Sequence, residues 1–288
     1  MLEVLQNIFT AQNAISGILL GGLFAVLGVG MTIIFGIVKL TNLAHGEFVI
    51  LGAFCSTLIS QALDIDPILT LIITIPLMFI IGMVLQSVLI NRVMLQGSEP
   101  ALLVTFGLSI ILQDAMLLLF SADARKMNPS YAQSNISLPG GLYIPVLDLI
   151  LLIISLVTIL VLTLFLRRTY MGRAIRATSD DIVAASLMGV SIKKAYAVAM
   201  GIAMATAAVA GLCVGMRWTF YPSSGGEYLL RAFGVVVIGG MGSIPGALVG
   251  GLVFGLAQVF GGASYGLLAS YVVLIIMLAV RPQGLFSK

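Results

Sequence analysis

Long apolar runs, separated by short clusters of polar residues, dominate the chain. A helix needs roughly 20 apolar residues to cross the hydrocarbon layer of a bilayer, and it must satisfy its backbone amides internally. Runs bounded by charged residues, proline and asparagine predict membrane segments at 14–37, 46–63, 68–90, 101–120, 146–166, 195–216, 228–260 and 264–280. The pattern therefore predicts an all-α, polytopic transmembrane helix bundle of about eight segments.

Two of these segments differ from a simple span. The run 46–63 is short and stops before an acidic turn at Asp64 and Asp66, so we expect a partial or tilted helix. The run 228–260 is too long for one crossing, and glycine and proline at 239–245 interrupt it. Because these residues release backbone hydrogen bonds, the segment is predicted to be two half-helices or a re-entrant hairpin that lines protein or water.

The composition places nearly the whole chain in lipid. Of its 288 residues, 60% are hydrophobic and 9% are charged, and the mean hydropathy is +1.17. Soluble domains carry about a quarter charged residues, so residues 1–288 are predicted to form a single transmembrane domain. Cys55 and Cys213 both fall in apolar runs, and neither a disulfide nor a metal site is expected. The residues before 14 contain Glu3 and no Lys or Arg, unlike a signal peptide, so the first run is expected to remain in the membrane.

The loop at about 167–194 fixes the expected orientation. It carries six of the fourteen basic residues together with Asp180 and Asp181, and the positive-inside rule places it in the cytoplasm. The net charge of +3 thus reports topology and not a nucleic-acid partner. Lys39 and Arg92 then lie inside, whereas the N-terminus, Asp64, Asp66 and the loop 121–145 lie outside.

The side of the C-terminus depends on the broken segment 228–260. One crossing puts Arg281 and Lys288 outside, and two crossings put them inside. Charge favours two crossings. Small residues at every fourth position from Ala199 to Gly215, and again from Gly242 to Gly250, are typical of close helix packing.

Few ionisable residues lie inside the apolar runs, and each of them is a candidate for function. Asn42, His45 and Glu47 precede or begin the second segment. They would line the passage or its cytoplasmic mouth. Alternatively, Thr41 or Asn42 caps the helix, Glu47 complements its positive end, and His45 lies at the membrane interface.

Two further polar groups have structural interpretations. Ser109 and Gln113 are four residues apart and share a helical face near Asp114, where we expect bonding to a neighbouring helix more than contact with a solute. Glu227 and Arg231 are also four apart, and the spacing predicts an ion pair.

No energy-converting motif is present in the sequence. The dipeptide Gly-Lys never occurs, so there is no P-loop for ATP. An intramembrane serine protease is disfavoured because the only histidine is His45 and Ser243 lacks the turn typical of a nucleophile. The chain is therefore not expected to be an enzyme. An ion-coupled secondary transporter remains an alternative, since broken helices are typical of that class, although the two halves show no matching pair of broken segments.

The basic loop has a further pattern within it. Ile182, Ala185, Ser186 and Gly189 recur at helical spacing after Asp180 and Asp181, which predicts a helix with a face of small residues. Such a cytoplasmic helix is suited to fit another protein's groove. A solvated basic loop explains the charge but not this spacing, and the residues alone leave both interpretations open.

Three groups of motifs resemble a known family. Val183-Ala184-Ala185-x-x-x-Gly189 is similar to the Glu-Ala-Ala-x-x-x-Gly loop by which ABC-importer permeases dock on their ATPases, with valine where glutamate is usual. Asn42-Leu43-Ala44-His45-Gly46-Glu47 with Gly52-Ala53, Gly239 to Ala247 with Gly250-Gly251, and Arg281-Pro282-Gln283-Gly284-Leu285 resemble LivH-like permeases of branched-chain amino acid ABC importers, in matching order along nearly the whole chain.

The resemblance implies a working unit and its location. The partners would be a homologous second permease, two cytoplasmic ABC ATPase subunits that hold ATP-Mg, and an external solute-binding protein, all at a bacterial-type inner membrane. This chain would bind no cofactor and would form half of the pore for leucine, isoleucine and valine, or for a related solute such as urea or a short amide. A helix at 173–192 would transmit the ATPase movement.

The resemblance also assigns candidate residues to two sets. The ATPase-coupling set comprises Gly172, Arg173, Arg176, Asp181, Ala184, Ala185 and Gly189. The translocation or gating set comprises Asn42, His45, Glu47, Gly239, Gly240, Gly242, Ser243 and Pro245.

Overall fold

The computed structural model describes residues 11–38, 41–93, 98–139 and 141–286. In chain order the elements are α1 (Ala11–Ile33, continued by the π-helical turn Ile34–Val38), α2 (His45–Leu63), α3 (Leu71–Leu85, with flanking turns Pro67–Thr70, Gln86–Ile90 and Asn91–Val93), α4 (Ser98–Phe120), β1 (Asn135–Leu138), β2 (Leu142–Pro145), α5 (Val146–Arg168), α6 (Tyr170–Asp180), α7 (Ile182–Leu187), α8 (Ile192–Arg217), α9 (Gly225–Gly239, after the turn Pro222–Ser224), α10 (Ile244–Phe260) and α11 (Gly262–Val280).

The predicted all-α membrane bundle is confirmed. Seven helices among the described residues are long and apolar enough to cross a bilayer, and their limits agree with the apolar runs to within a few residues. The eighth element is broken as predicted, because α9 and α10 meet at an angle of 114°. Glu3, Lys39 and Lys288, which entered the topology prediction, lie outside the described residues.

Helices α1 and α8 form the centre of the bundle. In the most apolar 18-residue stretch of each of these two helices, 83% of the residues are buried, against 11% in α4 and 17% in α11. Helix α1 packs against α10 through Gly17 and Gly21, which lie directly against Gly255. Gly211 of α8 lies against the backbone of α2. The small-residue stripes therefore serve close helix packing, as predicted.

The face predicted to be external carries the antiparallel β1–β2 hairpin and several polar contacts. The Tyr131 hydroxyl donates a hydrogen bond of 3.2 Å to Asp66, and burial together with the Asp66 charge raises the pKa of Tyr131. An ion pair of 2.7 Å joins Arg217 to Asp148 and so ties the end of α8 to the start of α5.

The chain ends at the opposite face, beside the break between α9 and α10. The N–H of Leu285 donates to the carbonyl of Ile238 at 3.0 Å, and the N–H of Phe286 donates to that of Gly239 at 3.1 Å. Since Met241 and Phe286 line one cleft together with Arg173, this end lies at the same face as the basic loop. The end of the described chain therefore lies at the face of the basic loop, which is the side that charge favoured.

Candidate functional site

Two helices begin inside the bundle, near half the depth of α1. His45, the first residue of α2, makes a 3.2 Å hydrogen bond through Nε2 to the carbonyl of Leu27, near the middle of the span Ala11–Val38. Gly46 packs directly on the carbonyl of Gly225, the first residue of α9. Helix α2 then runs to the external face, and α9 runs to the face of the basic loop. Their N-termini meet inside the protein.

Side chains satisfy the backbone that leads into α2. The side-chain Oδ1 of Asn42 accepts the N–H of Ala44 at 3.1 Å, and the Thr105 hydroxyl accepts the N–H of Leu43 at 3.3 Å. Irregular backbone at this depth needs such partners because no water is there to replace them. Helix α2 begins at His45 after Ala44 and has no side-chain capping hydrogen bond, so the capping role predicted for Thr41 or Asn42 is not observed. The position expected for His45 in that interpretation, at the membrane interface, is wrong, because His45 is buried at mid-depth.

Glu47 lies where the two helix N-termini converge. Its side chain is 4% exposed, and its carboxylate lies against Gly225, where a Cβ atom would collide with Cδ and both carboxylate oxygens. Oε2 has no hydrogen-bond partner within the described part of the chain. The positive ends of α2 and α9 both stabilise a negative charge at this point. The sequence prediction did not include Gly225, and the dipeptide Gly225-Gly226 is the signal that could have indicated this close approach.

The mid-depth starts of α2 and α9 overturn one expectation about the two halves of the sequence. We expected no matching pair of broken segments, but α2 in the first half and α9 in the second both begin at mid-depth. Helix α2 was expected to be partial or tilted, but it was not recognised as the counterpart of the broken segment, because its apolar run indicates a length and not a depth.

The break between α9 and α10 is a tight turn. Helix α9 ends at Gly239, and Gly240 and Gly242 adopt φ values of +101° and +85°, which favour glycine. Ser243 caps α10 by accepting the N–H of Gly246 at 3.1 Å, and Pro245 stands in the first turn. All five predicted gating residues between 239 and 245 therefore belong to this turn.

The basic loop contains two short helices and not the single helix expected at 173–192. Thr169 caps α6 by accepting the N–H of Gly172 at 2.9 Å. Asp181 has extended φ and ψ angles of −148° and 111° and caps α7 by accepting the N–H groups of Val183 and Ala184 at 2.8 and 3.0 Å. Asp180 is the last residue of α6 and does not begin a helix, contrary to our prediction.

The surface that α7 presents is large and apolar. Val183, Leu187 and Met188 are 69%, 83% and 84% exposed, whereas Ala185 is 4% exposed and faces the protein's own interior. The predicted face of small residues was therefore wrong for Ala185, although Ala184 is exposed. Gly189 has φ +81° and ends the segment. The exposed apolar knob consists of Val183, Leu187 and Met188.

A cleft of about 810 Å³ joins the basic loop to the break. Arg173 and Arg176 line it from α6, and Gly242, Ser243 and Pro245 line it from the turn. Gly36, at the end of the α1 span, lies between these two elements: its carbonyl accepts a hydrogen bond from Ser179, and its Cα packs on Gly242. Two residues of the coupling set and three of the gating set thus line one cleft, whereas Asn42, His45 and Glu47 lie elsewhere.

Two polar clusters lie outside this site. Asp114 is exposed on α4, and the side-chain hydrogen bond to a neighbouring helix that was expected of Ser109 and Gln113 is not found among the described residues. The predicted Glu227–Arg231 ion pair is present. The Arg231 guanidinium also lies 5.1 Å from the ring centroid of Trp218 and 5.4 Å from that of Tyr228, which is typical of cation–π contacts.

The sequence is similar to that of known membrane permeases. It is 31% identical to the high-affinity branched-chain amino acid transport system permease protein BraD of Pseudomonas aeruginosa, over 96% of this chain and 95% of that protein. It is also 31% identical to the corresponding protein LivH of Salmonella typhimurium, over 98% and 97% of the two chains. The ribose import permease protein RbsC of Haemophilus influenzae is more distant, at 24% identity over 86% and 77%. No solved structure is significantly similar to the chain.

A family model described as "branched-chain amino acid transport system / permease component" matches residues 13–281. The match covers every membrane helix of the described residues except the first two residues of α1. It agrees with the bundle of apolar helices and with the multi-pass membrane location predicted from the runs. The chain therefore belongs to the family of permease components of branched-chain amino acid transport systems.

Proposed function

We propose that this chain is half of the translocation pathway of an ATP-driven importer of branched-chain amino acids. A homologous second permease would form the other half, two cytoplasmic ATPase subunits with ATP-Mg would supply the energy, and an external binding protein would deliver the solute. The substrate class rests on the similarity to BraD and LivH. The sequence contains no P-loop, so an ATP-driven mechanism would need the ATPase of another chain.

The exposed knob on α7 carries the proposal of an ATPase partner. Three large apolar side chains project from a loop that is otherwise strongly basic, and α7 is held by the cap at Asp181. Exposure of apolar side chains to water is unfavourable. Burying Leu187 in a partner's groove would contribute roughly 2 kcal/mol to the free energy of association. Gly172 of the coupling set packs on the backbone of Phe165 and Leu166 and so brings α6 close to the end of α5.

The exposed face of α9 is the proposed lining of the passage. Gly226, Leu230 and Phe233 are exposed along it, and Glu227 at its start is also exposed. Because α9 begins at mid-depth, its first N–H groups and the Glu227 carboxylate cannot face lipid without a large cost. A water-filled passage shared with a second permease satisfies both. His45, Asn42 and Glu47 lie behind this face as supports for α2 and α9.

The docking role can be tested by placing a charge on the knob. In the assembled transporter, Leu187→Asp should lower substrate-stimulated ATPase activity at least tenfold, because the charge would have to be desolvated in the partner's groove. Ser191→Asp is the matched control. It adds the same charge four residues further on, at the N-cap of α8, where aspartate is favoured.

Leu187→Met, which conserves volume, should retain activity. Normal coupling in Leu187→Asp, with the complex still assembled, would refute the docking role. Uptake of leucine by the lone chain in liposomes under an ion gradient, without ATPase subunits, would instead support a secondary transporter. If the assembled complex takes up urea or a short amide in place of leucine, the substrate is that solute and not a branched-chain amino acid.

A further inference from the structure

The cleft between the basic loop and the turn carries positive charge that the described residues do not fully neutralise. Arg167 lines it from the end of α5, and Arg173 and Arg176 line it from α6. Asp180 is the one acidic residue among those that line it. Within the ranges that the structure describes, none of the three arginines lies within ion-pair distance of a carboxylate. The cleft therefore holds a net charge of about +2 and attracts an anion.

Apart from the hydroxyl groups of Thr32, Thr163, Ser179 and Ser243, the rest of the cleft is apolar, which limits the kind of anion. Its wall is formed by Ile33, Ile37, Leu166, Met241, Ile244 and Phe286. The volume of about 810 Å³ is far larger than one phosphate group needs. The residues that begin α10, from Ser243 to Pro245, also line the cleft and add the positive end of that helix. An arginine cluster beside an apolar wall fits an amphiphile with an anionic head.

We propose that this cleft binds the phosphodiester headgroup of an anionic phospholipid from the cytoplasmic leaflet, with part of an acyl chain along the apolar wall. Guanidinium groups bind phosphate oxygens through paired hydrogen bonds, and basic pockets between helices at this face of a membrane are suited to lipid headgroups. A free phosphate would use the arginines but would leave the apolar wall exposed to water. The apolar wall therefore favours the lipid.

The proposed lipid would hold together two elements that are otherwise in limited contact. Its headgroup would lie between Arg176 on α6 and Ser243 in the turn, beside the Ser179–Gly36 hydrogen bond. The α7 knob remains free, because its exposed side chains do not line the cleft. The lipid and an ATPase could thus bind at the same time.

The test measures lipid binding and does not depend on transport. The full chain is purified in mild detergent with phosphatidylglycerol or phosphatidylcholine, and the bound lipids are counted by native mass spectrometry. The double variant Arg167→Gln/Arg176→Gln removes two cleft charges and leaves Arg173, which already donates to the carbonyl of Arg168 at 3.2 Å. The control Lys193→Gln/Lys194→Gln removes two exposed charges of the same loop outside the cleft.

We expect the unmodified chain to retain phosphatidylglycerol in preference to phosphatidylcholine. Each arginine at a membrane surface contributes about fivefold to binding of an anionic headgroup, so the double arginine variant should bind about 30-fold more weakly. The lysine control should change binding by less than about threefold, since its charges are screened from the cleft. Arg167→Lys/Arg176→Lys keeps the charge and should retain most of the preference.

Three results would overturn the proposal. Equal loss in the arginine and lysine variants would mean that diffuse loop charge and not the cleft attracts the lipid. Displacement of phosphatidylglycerol by inorganic phosphate at about millimolar concentration would assign the arginines to a soluble anion. Equal retention of the two lipids by the unmodified chain would exclude headgroup recognition. Circular dichroism of each variant separates loss of binding from loss of fold.

Discussion

The contact between Glu47 and Gly225 can be tested by replacing Gly225 with alanine. The effect on the free energy of unfolding should change sign when Glu47 is also replaced. Gly225 is the first residue of α9 and already has helical φ and ψ angles of −57° and −42°, so alanine fits its backbone. Its Cβ atom would nevertheless collide with Cδ and both oxygens of the Glu47 carboxylate. Gly225→Ala should therefore destabilise the protein only while Glu47 is present.

The two effects have comparable magnitudes. Overpacking a buried site by one methyl group costs about 1–3 kcal/mol, whereas replacing glycine by alanine in a helix stabilises it by roughly 0.5–1 kcal/mol. Gly225→Ala alone should then lower the free energy of unfolding by about 1–2 kcal/mol. In a Glu47→Ala background the collision is absent, and the same change should raise it by up to about 1 kcal/mol.

Gly226 provides a matched control one residue further along α9. No atom lies within 4 Å of the position that its Cβ would take, so Gly226→Ala should be neutral or slightly stabilising. The four unfolding free energies of the cycle between positions 47 and 225 can be measured by SDS titration in mixed micelles, with a coupling energy near 2 kcal/mol expected. A cost of Gly225→Ala that persists without Glu47, or equal effects at positions 225 and 226, would refute the packing of the Glu47 carboxylate on Gly225.

Two shorter tests address the turn and the proposed passage. Ser243→Ala removes the cap of α10 and should lower the free energy of unfolding by about 1 kcal/mol, whereas Ser243→Asp should preserve it; equal losses in both variants would contradict the capping role. In a chain with Cys55 and Cys213 replaced by alanine, Gly226→Cys should react with a membrane-impermeant thiol reagent, while Ile80→Cys, exposed on α3 at membrane depth, should not. If both positions are protected from the reagent, α9 does not line a water-filled passage.

The membrane elements were readable from the sequence because each depends on local composition. Hydropathy gives the length of a span, and the glycines and proline at 239–245 interrupt a helix wherever they occur. The Glu227–Arg231 pair was equally local, since four residues of helix bring the two side chains together. These predictions did not require knowledge of what each helix packs against.

Depth and side-chain direction were not readable in the same way. The mid-depth start of α2 is set by His45 on Leu27 and by Gly46 on Gly225, contacts between residues far apart in the chain. The inward direction of Ala185 depends on which side of α7 packs against the rest of the protein, and helical spacing alone does not give that side. The helix start predicted at Asp180 and Asp181 is confirmed for Asp181, because capping depends on residue type close to the helix end.

The end of α1 is the physical link between the basic loop and the turn of the broken helix. Ser179 of α6 donates a hydrogen bond to the carbonyl of Gly36, and the Cα of the same glycine packs on Gly242. A displacement of α6 by a docked partner must therefore either break the Ser179 bond or carry Gly36 with it. In the second case the turn would be pushed as well when Gly36 moves toward Gly242, because the backbones of these two glycines are already in close contact. Such a movement would reach the end of α9 at Gly239, which adjoins the turn.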